Sequence, residues 1–313
     1  MTAAKPTIGI IGLGAMGLGI AQVFAAAGHP VRATDASPDS RASALSRLSA
    51  SLQPRIDKGA MSDADRTALL SRLTFTDRIE DIPPADMVVE AIVERLPAKQ
   101  SVFSLLERHL SPTAVLATNT SSLSVTAIAQ GLTHPERLLG LHFFNPAPVM
   151  RLVELIPHVG TTAQALTTAR TLTEAAGKTV IPCADRPGFI VNRCARPYYG
   201  EALALLEEGR HPAEIDAAMT AAGYRLGPFA LIDLIGADIN LAATESLSAA
   251  MHHHPRYHVF AALKAQVERG ALGRKTGTGF TLPQTETPAP QDAETIALRI
   301  EATLANEGAW LLS

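Results

Sequence analysis

The chain has 313 residues, 47% hydrophobic and 18% charged, which is enough to bury a sizeable core and to divide into two domains. A formal net charge of -3 gives no electrostatic reason to expect nucleic acid or an anionic membrane as partner, so any anionic ligand must be held locally. Two cysteines, Cys183 and Cys194, are too few for a disulfide framework and suit a reducing compartment such as the cytoplasm; the glycine-broken opening makes a poor signal peptide, and no stretch is apolar enough to span a bilayer.

The first predicted element is TIGII (7–11), short, β-branched and bounded by Pro6 and Gly12, which reads as a buried parallel strand. GLGAMG follows, then the helix-forming GIAQVFAAAGH closed by Gly28. In such a strand–turn–helix Gly12 allows the tight turn, Gly14 lets backbone approach a pyrophosphate, and Gly17 permits close packing of helix on strand. A bare G-x-G-x-x-G is weak evidence, but here a second strand, VRATD, ends at Asp35, 18 residues after Gly17. A carboxylate there accepts hydrogen bonds from the ribose diol and repels a 2′-phosphate, which favours NAD over NADP. The competing reading makes Asp35 the N-cap of a helix in DASPD.

Residues 36–73 are too long for one crossover helix and predict a pair of helices projecting from the sheet, with Pro54, Lys58 and Gly59 near their turn. LTFTD (73–77), DMVVEA (86–91) and VLATN (115–119) read as strands, and PAKQSVFSLLERH (97–109) as a helix with Pro97 near its start. The pattern is doubly wound α/β. Next, GLHFFNPAPVMRLVELIP (140–157) sets one histidine and one glutamate in two apolar runs that can form adjacent strands. Taken alone, the stretch fits a satisfied core histidine and a solvated glutamate better than a functional pair.

From Pro187 the apolar residues recur at helical spacings through PGFIVNRCARPYYGEALALLEEG, HPAEIDAAMTAAGY and LGPFALIDLIGADINLAATESLSAAM, so a second, all-helical domain is expected over 187–282. MHHHPRYH (251–258) suggests a metal cluster, but successive histidines on a helix diverge and no acidic or cysteine ligand accompanies them, so no metal is expected. Residues 283–292 read as a Pro/Thr-rich linker. Beyond it, ALRIEATLANEGAWLLS (297–313) aligns with VNRCARPYYGEALALLE (191–207) at an offset of 106, with Arg299 on Arg193, Glu307 on Glu201 and Leu311–Leu312 on Leu205–Leu206. An internal repeat begins there. Its apolar face, Ile296, Ile300, Leu304 and Leu311, is expected to pack on the chain's own helical domain or on a neighbouring subunit.

By ATNTSSL, GLHFFNPAPVMRLVELI and DRPGFIVNR the sequence resembles the L-3-hydroxyacyl-CoA dehydrogenase family, over nearly all of residues 7–282. The resemblance implies a Rossmann domain (1–186) joined to a helical domain (187–282) that also dimerises, and NAD-dependent oxidation of the 3-hydroxyl of acyl-CoA thioesters. It makes His142 the catalytic base, Glu154 its partner, and Ser121 and Asn192 the groups that orient substrate. It places cofactor contacts at Gly12, Gly14, Gly17, Asp35, Glu94, Lys99, Ser121, Asn145 and Lys275, and CoA contacts at Ser51 and Lys58. Long members carry two copies of the helical domain, and many act on 3-hydroxyadipyl-CoA or 3-hydroxybutyryl-CoA in aromatic-acid or short-chain metabolism, so 293–313 is expected to be the start of a second copy. A 3-hydroxyisobutyrate-type dehydrogenase shares only the opening GLGxMG, and a non-catalytic crystallin-like role is disfavoured by an intact His142/Glu154 pair.

Overall fold

Short apolar runs, the central ones buried on both faces, build the sheet, and the computed structural model describes residues 4–283 and 287–312. Gln284, Thr285 and Glu286 of the expected linker, and Ser313, lie outside the described residues. The strands are β1 (Ile8–Ile11), β2 (Val31–Thr34), β3 (Leu73–Phe75), β4 (Met87–Glu90), β5 (Val115–Thr118), β6 (Leu138–Phe143), β7 (Leu152–Pro157) and β8 (Thr179–Pro182). They form one sheet in the order β3-β2-β1-β4-β5-β6-β7-β8. Every neighbouring pair is parallel except β6 and β7, which the short connection over 144–151 returns antiparallel.

The order reverses beside β1, where the chain leaves the sheet through the glycine turn into α1 (Ala15–Ala26). Open α/β sheets bind ligands at such a switch point, outside the carboxyl ends of the strands. The long segment after β2 forms α2 (Pro38–Asp57) and α3 (Asp63–Leu70). Ser37 caps α2, its hydroxyl accepting from the Ser40 amide, so Asp35 is not the cap. The two helices form the pair expected over 36–73: Ala44, Leu48, Leu52 and Leu69 are buried in the core that β1, β2 and α1 share, and residues 53–60 are mostly exposed. Spaced four apart, the first three make one apolar stripe, and burying it outweighs solvating the polar remainder.

Helices α4 (Leu96–His109), α5 (Val125–Ala129) and α6 (Ala163–Ala175) complete the first compact unit, which ends at Arg186. The fold class read from the sequence, α/β with a second all-helical part, holds. The second unit starts at Pro187 and has its own core around Leu203, Ile215, Phe229, Ile232 and Leu263. It comprises α7 (Val191–Glu207), α8 (Pro212–Ala221), α9 (Pro228–Ile235), α10 (Ala237–Ala250), α11 (Ala261–Glu268) and α12 (Ala293–Leu312). Ile296, Ala297 and Ile300 of α12 are buried in that core, and the helix packs chiefly on α7 and α8.

Candidate functional site

The antiparallel turn-back explains how two ionisable groups come to be buried together. His142 and Glu154 are direct register partners of β6 and β7, so their side chains leave the same face of the sheet side by side. His142 is 5% exposed and Glu154 fully buried, and His142 Nδ1 lies 2.7 Å from Glu154 Oε2. A carboxylate accepts, so Nδ1 is the ring nitrogen that donates to Glu154. Phe144 packs its ring 4.5 Å from the imidazole, centroid to centroid. The Asn119 side-chain oxygen accepts from the Phe143 amide (2.8 Å), tying the end of β6 to the loop after β5.

At the switch point the glycines differ in what surrounds them. A Cβ on Gly17 would sit 1.8 Å from the Gly12 carbonyl oxygen, and Gly12, at φ +99°, faces the Ala91 carbonyl in the same way. Gly14 is the N-cap of α1 and a Cβ there would meet nothing within 4 Å. Backbone N–H groups of the first turn of α1 therefore border open space, which fits a pyrophosphate. The Leu13 amide donates to Asp35 Oδ2 (2.7 Å) and the Ser37 amide to Oδ1 (2.8 Å), holding a half-buried carboxylate beside the loop with lone pairs left for a ribose diol. A dinucleotide fits this donor and acceptor set.

Lys99 is the position where the structure departs furthest from a surface contact. It is 1% exposed, and its ammonium donates to Glu90 Oε1 (2.7 Å) and lies 3.2 Å from Glu94 Oε2. Glu90, which sequence reasoning passed over, is fully buried and also accepts from the Thr118 hydroxyl (2.7 Å) and the Ile92 amide (2.7 Å). Its signal was a carboxylate closing the apolar run DMVVE just before a loop. Glu94 Oε1 accepts from the Thr120 hydroxyl (2.6 Å) and the amides of Ser121 (2.9 Å) and Ser122 (3.1 Å). Burial opposes ionisation of Glu94, but Lys99, Thr120 and the Ser121 amide outweigh it and hold its carboxyl below the usual range. Lys99 thus holds Glu94, which in turn accepts from the loop carrying Ser121.

Asn145 is exposed on the turn leaving β6. Ser51 lies exposed on α2, donating to the Leu48 carbonyl (2.7 Å), and Lys58 lies exposed as the residue that ends the helix. Asn192 and Lys275 belong to the second unit: Asn192 is half-buried in the first turn of α7, and the Lys275 ammonium donates to Asp238 Oδ2 (2.6 Å). His254 of the histidine run caps a short turn by accepting from the Arg256 amide (3.2 Å). Among the described residues no helix is long and apolar enough to cross a membrane.

Residues 7–186 match the family model for the 3-hydroxyacyl-CoA dehydrogenase NAD binding domain, and residues 188–282 match that for the C-terminal domain. The chain is 42% identical over 275 residues to the 3-hydroxyadipyl-CoA dehydrogenase of Escherichia coli (strain K12), covering 87% of this chain and 58% of that protein. It is 38% identical over 273 residues to a probable 3-hydroxybutyryl-CoA dehydrogenase of Bacillus subtilis (strain 168), covering 87% and 95%. The crystal structure of 3-hydroxybutyryl-CoA dehydrogenase from Escherichia coli K12 superposes with a TM-score of 0.87 at 41% identity, over 91% of this chain and 61% of that one. The chain thus spans about three fifths of these Escherichia coli relatives and nearly all of the Bacillus one. With a nucleotide turn that fits NAD, a buried His–Glu pair, and both family models matched in order, the chain belongs to the 3-hydroxyacyl-CoA dehydrogenase family.

Proposed function

We propose that this chain catalyses the reversible, NAD-dependent oxidation of L-3-hydroxyacyl-CoA to 3-oxoacyl-CoA. The observation that carries the reading is the buried pair of His142 Nδ1 and Glu154 Oε2 at 2.7 Å on facing strands. Bound NAD supplies the hydride acceptor for C3. His142 takes the hydroxyl proton at Nε2 as the carbonyl forms, since Nδ1 is already committed to Glu154. Glu154 keeps the ring in that tautomer and stabilises the imidazolium that results. Ser121, positioned by its amide on Glu94, and Asn192 donate to the substrate oxygens without adding charge. Ser51 and Lys58 take the CoA moiety, and Asn145 and Lys275 complete the cofactor contacts.

A short or dicarboxylic acyl group is the substrate class that the relatives' names support, 3-hydroxybutyryl-CoA or 3-hydroxyadipyl-CoA. Dimerisation through the helical unit, implied by the family resemblance, has to accommodate α12, which already covers part of α7. The test is NADH oxidation with acetoacetyl-CoA and with 3-oxoadipyl-CoA. Turnover of either supports the reaction class, and a preference in kcat/KM assigns the acyl group. Absence of turnover with both, in a protein that binds NADH, overturns the proposal.

A further inference from the structure

The connection over 144–151, which carries Asn145 away from β6, is poorly equipped to hold its own shape. Pro146 and Pro148 bring no N–H, and the backbone bonds that close the turn run from the Val149 and Met150 amides to one acceptor, the Pro146 carbonyl (3.0 Å each). The Ala147 and Met150 carbonyls are met from outside the turn: Lys178 Nζ donates to both, at 2.5 and 2.8 Å. Lys178 stands in the step from α6 to β8, after Gly177 at φ +80° and before Thr179, whose amide donates to the Arg151 carbonyl (2.8 Å). It is 9% exposed, and burial pushes its ammonium below the usual lysine range. An ammonium taken out of water onto neutral carbonyls is costly, and packing alone gives no reason for it. On its other side the turn rests on α1. A Cβ added to Gly19 would sit 3.2 Å from the Ala147 Cβ and 3.3 Å from the Pro148 Cδ, and Ala147 is buried there.

We infer that Lys178 is a positioning residue for the cofactor: it clamps the β6–β7 connection against α1 and so sets where Asn145 is presented. The inference rests on the cofactor contact proposed for Asn145. His142 and Glu154 are held instead by the pairing of β6 with β7, so the clamp acts on cofactor affinity and leaves proton transfer to the dyad.

The experiment is NADH fluorescence titration, together with kcat for acetoacetyl-CoA at saturating NADH, on Lys178→Met, Lys178→Arg, Asn145→Ala and Lys178→Met/Asn145→Ala. Lys178→Met keeps the reach of the side chain and deletes its donors; it is expected to raise the NADH Kd about tenfold while kcat stays within about threefold. Lys178→Arg keeps the charge and the N–H donors and is expected to recover most of the affinity. Asn145→Ala is expected to raise Kd by itself, and the double variant to bind little more weakly than Asn145→Ala alone, because the clamp then has nothing left to position. Lys178→Gln, with N–H donors but no charge, takes the place of Lys178→Met in the same cycle should the latter not fold. An unaltered Kd in the folded Lys178 variant overturns the inference, as does a rise that adds in full to that of Asn145→Ala, or a loss confined to kcat. So does an Asn145→Ala chain that binds NADH as before. The titration needs no turnover, so an unaltered chain that binds NADH but does not reduce acetoacetyl-CoA counts against the proposed reaction, and the clamp is still judged by Kd.

Discussion

His142 and Glu154 are each ordinary as residues and acquire a role only from facing one another. His142→Gln is expected to leave NADH binding intact and to lower kcat by about 10²-fold or more, because it deletes the proton acceptor and leaves the glycine turn unchanged. Turnover with acetoacetyl-CoA and NADH fluorescence titration read the two effects separately, and near-unaltered turnover would sink the dyad. Glu90 makes the complementary case. Its carboxylate compensates the buried Lys99 ammonium, so Glu90→Gln should cost about 3–5 kcal/mol in urea unfolding, while Glu90→Gln/Lys99→Met should recover most of it. An additive double variant would show that the two groups are not coupled. The dyad was legible because His142 and Glu154 sit in long motifs; Glu90 was not, since one acidic residue after three apolar ones looks like any strand end.

Elements followed the sequence wherever one period dominated. TIGII, DMVVEA and VLATN stand within a residue or so of β1, β4 and β5, because buried parallel strands are continuous apolar runs. β8 and the five-residue α5 were invisible, one a half-exposed edge strand and the other held by Asp185, which accepts from the amides of Val125 (2.9 Å) and Thr126 (2.7 Å) some sixty residues away in sequence. The glycine turn allows a sharper test of element packing. Gly17→Ala drives a methyl into the Gly12 carbonyl, so α1 has to shift, with an expected cost of about 1–3 kcal/mol and weaker NADH binding. Gly14→Ala meets only open space at φ -68°, so stability should change by less than about 1 kcal/mol while NADH affinity falls, the methyl standing where the pyrophosphate approaches. Urea midpoints and NADH titrations on both variants check this; equal losses of stability would refute the division of labour.

At the scale of the whole molecule, the two units have separate cores, one built on the sheet and α1–α3, the other on α7–α12. The cofactor contacts proposed for the first unit outnumber the single one proposed for the second, Lys275, so ligand stabilisation should be distributed unevenly. A ligand that binds only the folded state stabilises by RT ln(1 + [L]/Kd), about 2.7 kcal/mol at a hundredfold excess over Kd. Saturating NADH is therefore expected to slow amide exchange in β1, β2 and α1 more than in α8 and α12. Ile300→Ala should do the reverse: it hollows the second core at a fully buried position, costing about 2–5 kcal/mol, and should speed exchange in α7, α8 and α12 while leaving the sheet protected. Hydrogen exchange resolved by peptide, with and without NADH, on the unaltered chain and on Ile300→Ala distinguishes the outcomes. If Ile300→Ala deprotects β1 as much as α12, the two cores unfold as one cooperative body, and the independence read from their separate packing is wrong.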